Sequence, residues 1–392
     1  MIELLILSIL IILAFGVAIV IDRFGVPRAT SYIVIGILTS PHLLGKFFKF
    51  PYLALSENIT EIALGVIAFL IGLKIDWKFL QAKKTSLIYG TLGQVFLAVI
   101  SVGLTIYIFG YLFDYPNKLK LAVALGAIAA TTAPAGTMAV IEEYGAKGAI
   151  TSLLLGIVIL DDVFGVMIFE ILTNLTNVGS TFEKLYPSLH HILGSIVLGG
   201  CLGCIAGLFS RFFKKAELRF PVFISFVLAC TAAASLLGMS SILACISLGF
   251  ATQITSNQET KNLIGPIKHI EEFVFIIFFI FAGLHFDPSV FSSNLGLILV
   301  YIIARSFGKY FGSYWGVLRG GTPRNSAKWL GLCLFPQAGV ALGLALSLSH
   351  RADYASEAGL VINVILGATI VYETLGPILA KYSLVKSGDI KK

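Results

Sequence analysis

Apolar runs of about 20 residues recur from the start of the chain to beyond residue 375, parted by short stretches that carry charge, proline or glycine. A helix needs roughly 20 such residues to cross ~30 Å of hydrocarbon. The pattern predicts an all-α membrane protein of thirteen transmembrane helices. They fall over 3–21, 29–45, 57–74, 85–113, 119–141, 148–173, 189–210, 219–237, 240–255, 263–284, 292–317, 326–349 and 356–380. The first run, Glu3 to Ile21, is too long for a signal-peptide core. It also carries an acid where a basic segment belongs and meets Asp22-Arg23 without a small-residue cleavage site. It is expected to remain as a helix.

Composition sharpens this picture. The 392 residues are 57% hydrophobic and 12% charged, against about 25% charged in soluble domains, so no soluble catalytic or regulatory domain is expected. The net charge of +7 arises from basic residues scattered through short loops. That distribution excludes a nucleic-acid surface and fits membrane orientation. With the N-terminus outside and the C-terminus cytoplasmic, 20 Lys and Arg lie on the cytoplasmic side of an inner (plasma) membrane and 6 lie outside. One missed or invented helix would scramble this asymmetry. The two basic residues left over, Arg305 and Lys309, fall inside helix 11.

Thirteen helices divide as six, a linker and six. A first repeat over 1–188 and a linker helix over 189–210 precede a second repeat over 219–380 that starts from the opposite side, the arithmetic of inverted topology. The two halves carry matched interruptions. Helix 5 contains Thr131-Thr132-Ala133-Pro134-Ala135-Gly136, and helix 12, seven later, contains Pro336-Gln337-Ala338-Gly339. Proline inside a helix removes a donor and frees carbonyls at membrane depth. Paired breaks of this kind point to a transporter's midplane site, although each alone is compatible with an ordinary kink.

Helix 6 places two adjacent acids, Asp161 and Asp162, at mid-span. A charged side chain at the bilayer centre costs ~2.5–3.5 kcal/mol, so these two, with Arg305 and Lys309, must be paired, hydrated or protonated. Neighbours on a helix point about 100° apart. One acid is therefore expected to meet a cation on another helix while the other looks into a water-filled cavity. Two close carboxylates cannot both ionise freely, so a proton and a metal ion can compete for them. A hard ion such as Na⁺ wants oxygen ligands, which the carboxylates, the Thr131 or Thr132 hydroxyls, freed carbonyls and water can supply. Arg305 and Lys309, four apart, share a face as charge partners. The competing reading of all four is a structural salt-bridge cluster.

Other features carry less. Glu61, Glu170 and Glu373 are read as lying near helix ends in solvated or capping roles. Cys201 and Cys204 form a C-x-x-C pair with no matching ligand set, so packing is the expectation. Gly199, Gly203 and Gly207, and Gly308, Gly312 and Gly316, follow the small-xxx-small spacing of closely packed helices.

The stretch Ile157 to Gly165 around Asp161-Asp162, the Thr131-Thr132-Ala-Pro break, Arg305-Ser-Phe-Gly-Lys309 and Pro336-Gln-Ala-Gly together resemble the monovalent cation:proton antiporter superfamily, in its bacterial sodium/proton and Kef-type branch. The resemblance spans nearly the whole chain in order. It implies a core domain built on crossing broken helices 5 and 12 and a separate dimerisation domain, giving a homodimer. It further implies that Asp162 binds cation and proton alternately, that Asp161 pairs with Lys309, and that the Thr131–Thr132 break lines the site. The expected function is exchange of Na⁺ (or Li⁺, possible also for K⁺) for protons by alternating access, with no enzymatic activity and no cofactor. The alternatives are a K⁺/H⁺ exchanger, disfavoured by the lack of the Kef-type nucleotide-binding domain, and a Na⁺-coupled organic-anion symporter of related fold.

Overall fold

The computed structural model describes residues 2–22, 28–48, 52–75, 81, 84–133, 135–176, 181–213, 216–256 and 264–390. Among these there are helices and no strand. In chain order the helices are α1 (Ile2–Asp22), α2 (Arg28–Leu38), α3 (Gly45–Phe48), α4 (Tyr52–Leu73), α5 (Lys84–Leu112), α6 (Lys118–Ile128), α7 (Ala135–Tyr144), α8 (Ala149–Leu175) and α9 (Thr181–Ser210). There follow α10 (Ala216–Leu236), α11 (Ser241–Thr255), α12 (Ile264–Leu284), α13 (Pro288–Ser293), α14 (Leu295–Arg319), α15 (Arg324–Leu330), α16 (Gly339–Ser347) and α17 (Ala355–Ser387).

Each of the thirteen predicted windows contains helix, but several boundaries differ. Five helices are long and apolar enough to cross a bilayer, and the bent pair 324–334 and 339–350, turned by 50°, makes a sixth candidate. The second window ends at Leu38 rather than 45, since Ser40 precedes Pro41 and the residue before proline resists the α conformation. The eleventh is divided at Asn294, because Asp287 caps a separate short helix: its Oδ1 accepts the Ser289 amide at 2.8 Å. The last runs to Ser387, seven residues beyond the expected end. Its final turns lay Lys381 over the Tyr144 ring and Lys386 over the Tyr382 ring, where long basic side chains cover apolar surface.

Glycine ridges bring helices together. Gly308, Gly312 and Gly316 pack α14 on α5, so closely that a Cβ on Gly312 would strike the Gly93 carbonyl. Gly199, Gly203 and Gly207 seat α9 on α11 in the same way. Cys201 and Cys204, on this helix, point outward instead of packing inward. Two further crossings match each other: α2 meets α12 at Gly36 and Gly283, and α4 meets α11 at Gly72 and Gly249, each pair with a would-be Cβ 3.0 Å from the partner Cα.

The large apolar core includes Ala129, Val166 and Tyr372, and a smaller one includes Ile157, Leu334 and Ala380. The chain passes between them at Asp161-Asp162 on α8 and at the gaps between α6 and α7 and between α15 and α16. The polar groups thus lie at the seam of two hydrophobic layers.

Candidate ion site at the crossing of two interrupted helices

The gap after α6 has no regular secondary structure over 131–133, and Pro134 lies outside the described residues. In the second gap a 3₁₀ turn over 331–334 gives way to an irregular stretch before Gly339 begins α16. The two stretches touch: the Ala133 amide donates to the Pro336 carbonyl at 2.9 Å. A helix end leaves its last carbonyls without partners, and buried polar groups demand them.

Arg305 supplies much of what is missing. Its Nε donates to the Ala129 carbonyl at 3.2 Å, one terminal nitrogen to Phe335 at 2.7 Å and the other to Thr131 at 2.7 Å. Its guanidinium also lies over the Tyr372 ring, 4.6 Å from the centroid. The partners of Arg305 are therefore carbonyl oxygens from both gaps rather than a carboxylate. Only the planar five-donor fork of arginine can serve three acceptors in this spread.

One turn on, Lys309 is wholly buried and meets Asp161, Nζ to Oδ2, at 3.1 Å. It also donates to the Thr132 hydroxyl at 2.8 Å and to the Ala130 carbonyl. Asp161 Oδ2 accepts two more hydrogen bonds, from the Thr132 hydroxyl at 2.5 Å and from Gln94 Nε2 at 3.0 Å. Three elements thus converge on one oxygen of a fourth. Among the described residues the other Asp161 oxygen, Oδ1, has no hydrogen-bond partner, nor do Asp162 Oδ1 and Gln94 Oε1.

Asp162 is 1% exposed. Both acids lie buried between the two apolar layers. Of the two threonines only Thr132 reaches a carboxylate, the Thr131 hydroxyl being turned onto the Ile128 carbonyl at 3.0 Å. Gln337 is buried but faces away from the acids, exchanging hydrogen bonds with the Tyr301 hydroxyl at 2.9 and 3.0 Å and donating to Ile128 at 3.2 Å. Its role is to join α14 to the two gaps. Gly339 opens α16 with no side chain packed closely on it. Among the described residues no group of three His, Cys, Asp or Glu gathers as a resident metal site.

Gln94 escaped the sequence reading. The test applied to the charges, a costly polar group at mid-span, finds it as an amide ten residues into a 29-residue apolar helix. Tyr301 and Tyr372 carry no such signal, since tyrosine suits a core and a membrane interface equally. Glu373 was misplaced. It is fully buried rather than near a solvated end, because α17 extends beyond the predicted limit and makes residue 373 an interior position. Glu61 accepts a hydrogen bond from Ser241 at 2.9 Å, and Glu170 is half-buried.

Comparison with known proteins follows the same lines. The family model described as the transmembrane sodium/hydrogen exchanger matches residues 9–381. A Na⁺/H⁺ antiporter of Enterococcus hirae is 24% identical over 372 residues, covering 92% of each chain. The Na⁺/H⁺ antiporter NhaS4 of Synechocystis sp. is 24% identical over 335 residues, covering 79% of this chain and 80% of its own. The solved structure of the sodium proton antiporter MjNhaP1 from Methanocaldococcus jannaschii superposes with a TM-score of 0.77 at 18% identity, over 100% of this chain and 99% of that one. At that identity the likeness speaks for the fold.

Proposed function

The chain belongs to the transmembrane sodium/hydrogen exchanger family, and from that premise we propose that Asp161 and Asp162 form the site where a sodium ion and protons alternate during exchange across the membrane. The observation that carries this is the pair's position. Both acids are buried at mid-helix beside two interrupted helices, with Asp161 Oδ1, Asp162 Oδ1 and Gln94 Oε1 lacking partners. A hard monovalent cation takes oxygen ligands of this kind. Asp161 is already balanced by Lys309, so the negative charge available to cargo is that of Asp162.

The exchange cycle follows from electrostatics. An empty, ionised Asp162 is costly to carry through a hydrocarbon-walled barrier, whereas a bound cation or proton neutralises it. Only the loaded site crosses, which couples the two flows. Alternating access moves the unit tied together by Ala133, Pro336 and Arg305 against the remaining helices. Li⁺ shares the site with Na⁺. The K⁺ and organic-anion readings stay as outcomes of the test.

Several contacts support the rest of this reading. Numbered by predicted window, α2 on α12 is helix 2 on helix 10, and α4 on α11 is helix 3 on helix 9; adding seven turns one pair into the other, as inverted repeats over 1–188 and 219–380 require. Loops that the thirteen-helix count puts on one side also meet one another. Tyr115 with Asn294, Asn117 with Glu357 and Lys120 with Asp353 fall outside. Ser86 with Gly320 and Asp389 with Thr151 fall inside. A homodimer in the plasma membrane, N-terminus out, completes the assignment.

The test is dequenching in everted vesicles or proteoliposomes with Na⁺, Li⁺ and K⁺ pulses, on the parent and on Asp162→Asn. The parent responds to Na⁺ and Li⁺, and the variant responds to none. With one proton competing for the site, the apparent KM for Na⁺ rises by up to about tenfold for each unit the pH is lowered. Exchange that survives Asp162→Asn overturns the site, and sodium-driven uptake of an organic anion without proton counterflow overturns the antiporter.

A further inference from the structure

Glu373 is a buried carboxyl that the exchange site does not use. It is 0% exposed within α17, and neither of its oxygens has a hydrogen-bond partner among the described residues. Thr369, one turn earlier, is likewise 0% exposed with an unpartnered hydroxyl. Residues four apart share a helix face, so Thr369 and Glu373 put three buried oxygens without partners among the described residues on one face of α17. Gly376, three residues on, continues that face and seats the second gap: a Cβ there would lie 2.5 Å from Pro336 Cγ. The cluster therefore flanks the interrupted helix on the side of α17.

An ionised carboxylate kept in such a place without a partner costs several kcal/mol, so something must neutralise it. Among the described residues of the elements packed on α17, the basic side chains are engaged elsewhere, Arg351 by Asp353 and Thr173 included. On α14, Arg305 is spread over three carbonyls and Lys309 is held by Asp161 and Thr132. On α15, Lys328 lies over the Trp329 ring, and in the turn after it Cys333 donates to the Trp329 carbonyl. On α7, Tyr144 takes Lys381; on α6, Lys120 donates to Asp353; on α2, Tyr32 donates to Glu272. On α8, Asp161 is engaged as described and adds negative charge only.

A metal ion fits no better. Hard cations take about six oxygens, and three carbonyls of the second gap are already engaged: Cys333 by Thr137, Phe335 by Arg305 and Pro336 by Ala133. Asp161 and Asp162 bring two carboxylates together beside an amide oxygen, whereas Glu373 offers one carboxylate and one hydroxyl, so the acid pair is the better cation site. A proton needs only one oxygen.

We propose that Glu373, with Thr369 beside it, is a second proton-binding site of this protein, separate from Asp161-Asp162, whose occupancy changes with pH. Binding converts the buried anion to a neutral acid, and release follows when water reaches the Pro336 gap. The inference stands apart from the exchange reading, because proton binding is read without transport.

Infrared difference spectroscopy of the full chain in lipid tests it, titrated from about pH 6 to about pH 10, the span between ordinary carboxyl and lysine titrations. The parent is expected to show a carboxylic-acid carbonyl band that bleaches as the pH rises. The band is lost in Glu373→Gln, which replaces the neutral acid by an amide of the same shape, and is shifted in Glu373→Asp. It persists in Asp162→Asn. A parent band of constant intensity across the titration, or one that survives Glu373→Gln, overturns the proposal.

Discussion

Ala133 and Pro336, from opposite halves of the chain, are joined by a backbone hydrogen bond of 2.9 Å. Each lies where its own helix has stopped, so each supplies a group the other lacks. The bond ties the two interrupted helices together, and Arg305 reinforces it by holding Ala129 and Thr131 from the first gap and Phe335 from the second. Charge of the positive sign is needed there because the gaps gather carbonyl oxygens at membrane depth.

Arg305→Lys keeps the charge and loses the fork. One ammonium cannot reach carbonyls on both gaps, so at least one becomes an unsatisfied buried acceptor. The expected loss is about 1–3 kcal/mol, read as a lowered thermal unfolding midpoint in detergent or lipid. A midpoint equal to the parent's shows that charge alone suffices.

Lys309→Met leaves Asp161 buried without its cation. Removing one partner of a buried pair costs about 3–5 kcal/mol. Adding Asp161→Asn to the same chain should recover much of that loss, because the orphaned charge is gone. Thermal stability of the two single variants and the double variant, taken as a cycle, decides it. Additive losses sink the pairing as the cause.

Gln94→Leu removes one donor from Asp161 and one free oxygen from the site. A hydrogen bond to a charged group contributes about 1.5–3 kcal/mol, equivalent to roughly tenfold or more in an equilibrium constant. The prediction is a rise of that order in the KM for Na⁺ together with a lowered unfolding midpoint, since the same bond also joins α5 to α8. Sodium titration of exchange at fixed pH measures it, and an unchanged KM removes Gln94 from the site.

Asp287 gives a pH dependence outside the membrane. The Ser289 hydroxyl, bound to Oδ1 at 2.6 Å, holds its carboxyl below the ordinary range, helped by the Ser289 and Val290 amides. A depressed value means stability that is full above the unfolded carboxyl's titration and is lost as pH falls through the folded value. Asp287→Ala should flatten that acid limb of the stability curve while leaving neutral-pH exchange intact. An identical acid limb in the variant counts against the cap.

Much of this architecture is determined by residue order alone. Apolar runs cannot be solvated, so they fix that the chain is helical and membrane-embedded. Two matched prolines and two adjacent acids inside such runs mark where a helix is prone to break, although α10 and α17 carry Pro221 and Pro377 without stopping, and where charge must be compensated. The glycine spacing on α9 and α14 names the faces that pack closely, because a Cβ on that face would meet a neighbour's backbone.

Which groups compensate which is a tertiary matter. Arg305 and Lys309 share one face in sequence, yet one meets carbonyls and the other a carboxylate, since only three-dimensional crossing sets what lies opposite each turn. Gln94 enters the site from a helix 67 residues away in sequence from Asp161. Glu373 becomes a buried acid only because α17 runs past its expected end and packs against the Pro336 gap. The sequence states that buried charge needs an answer, and the packing of helices distant in the chain decides which atom gives it.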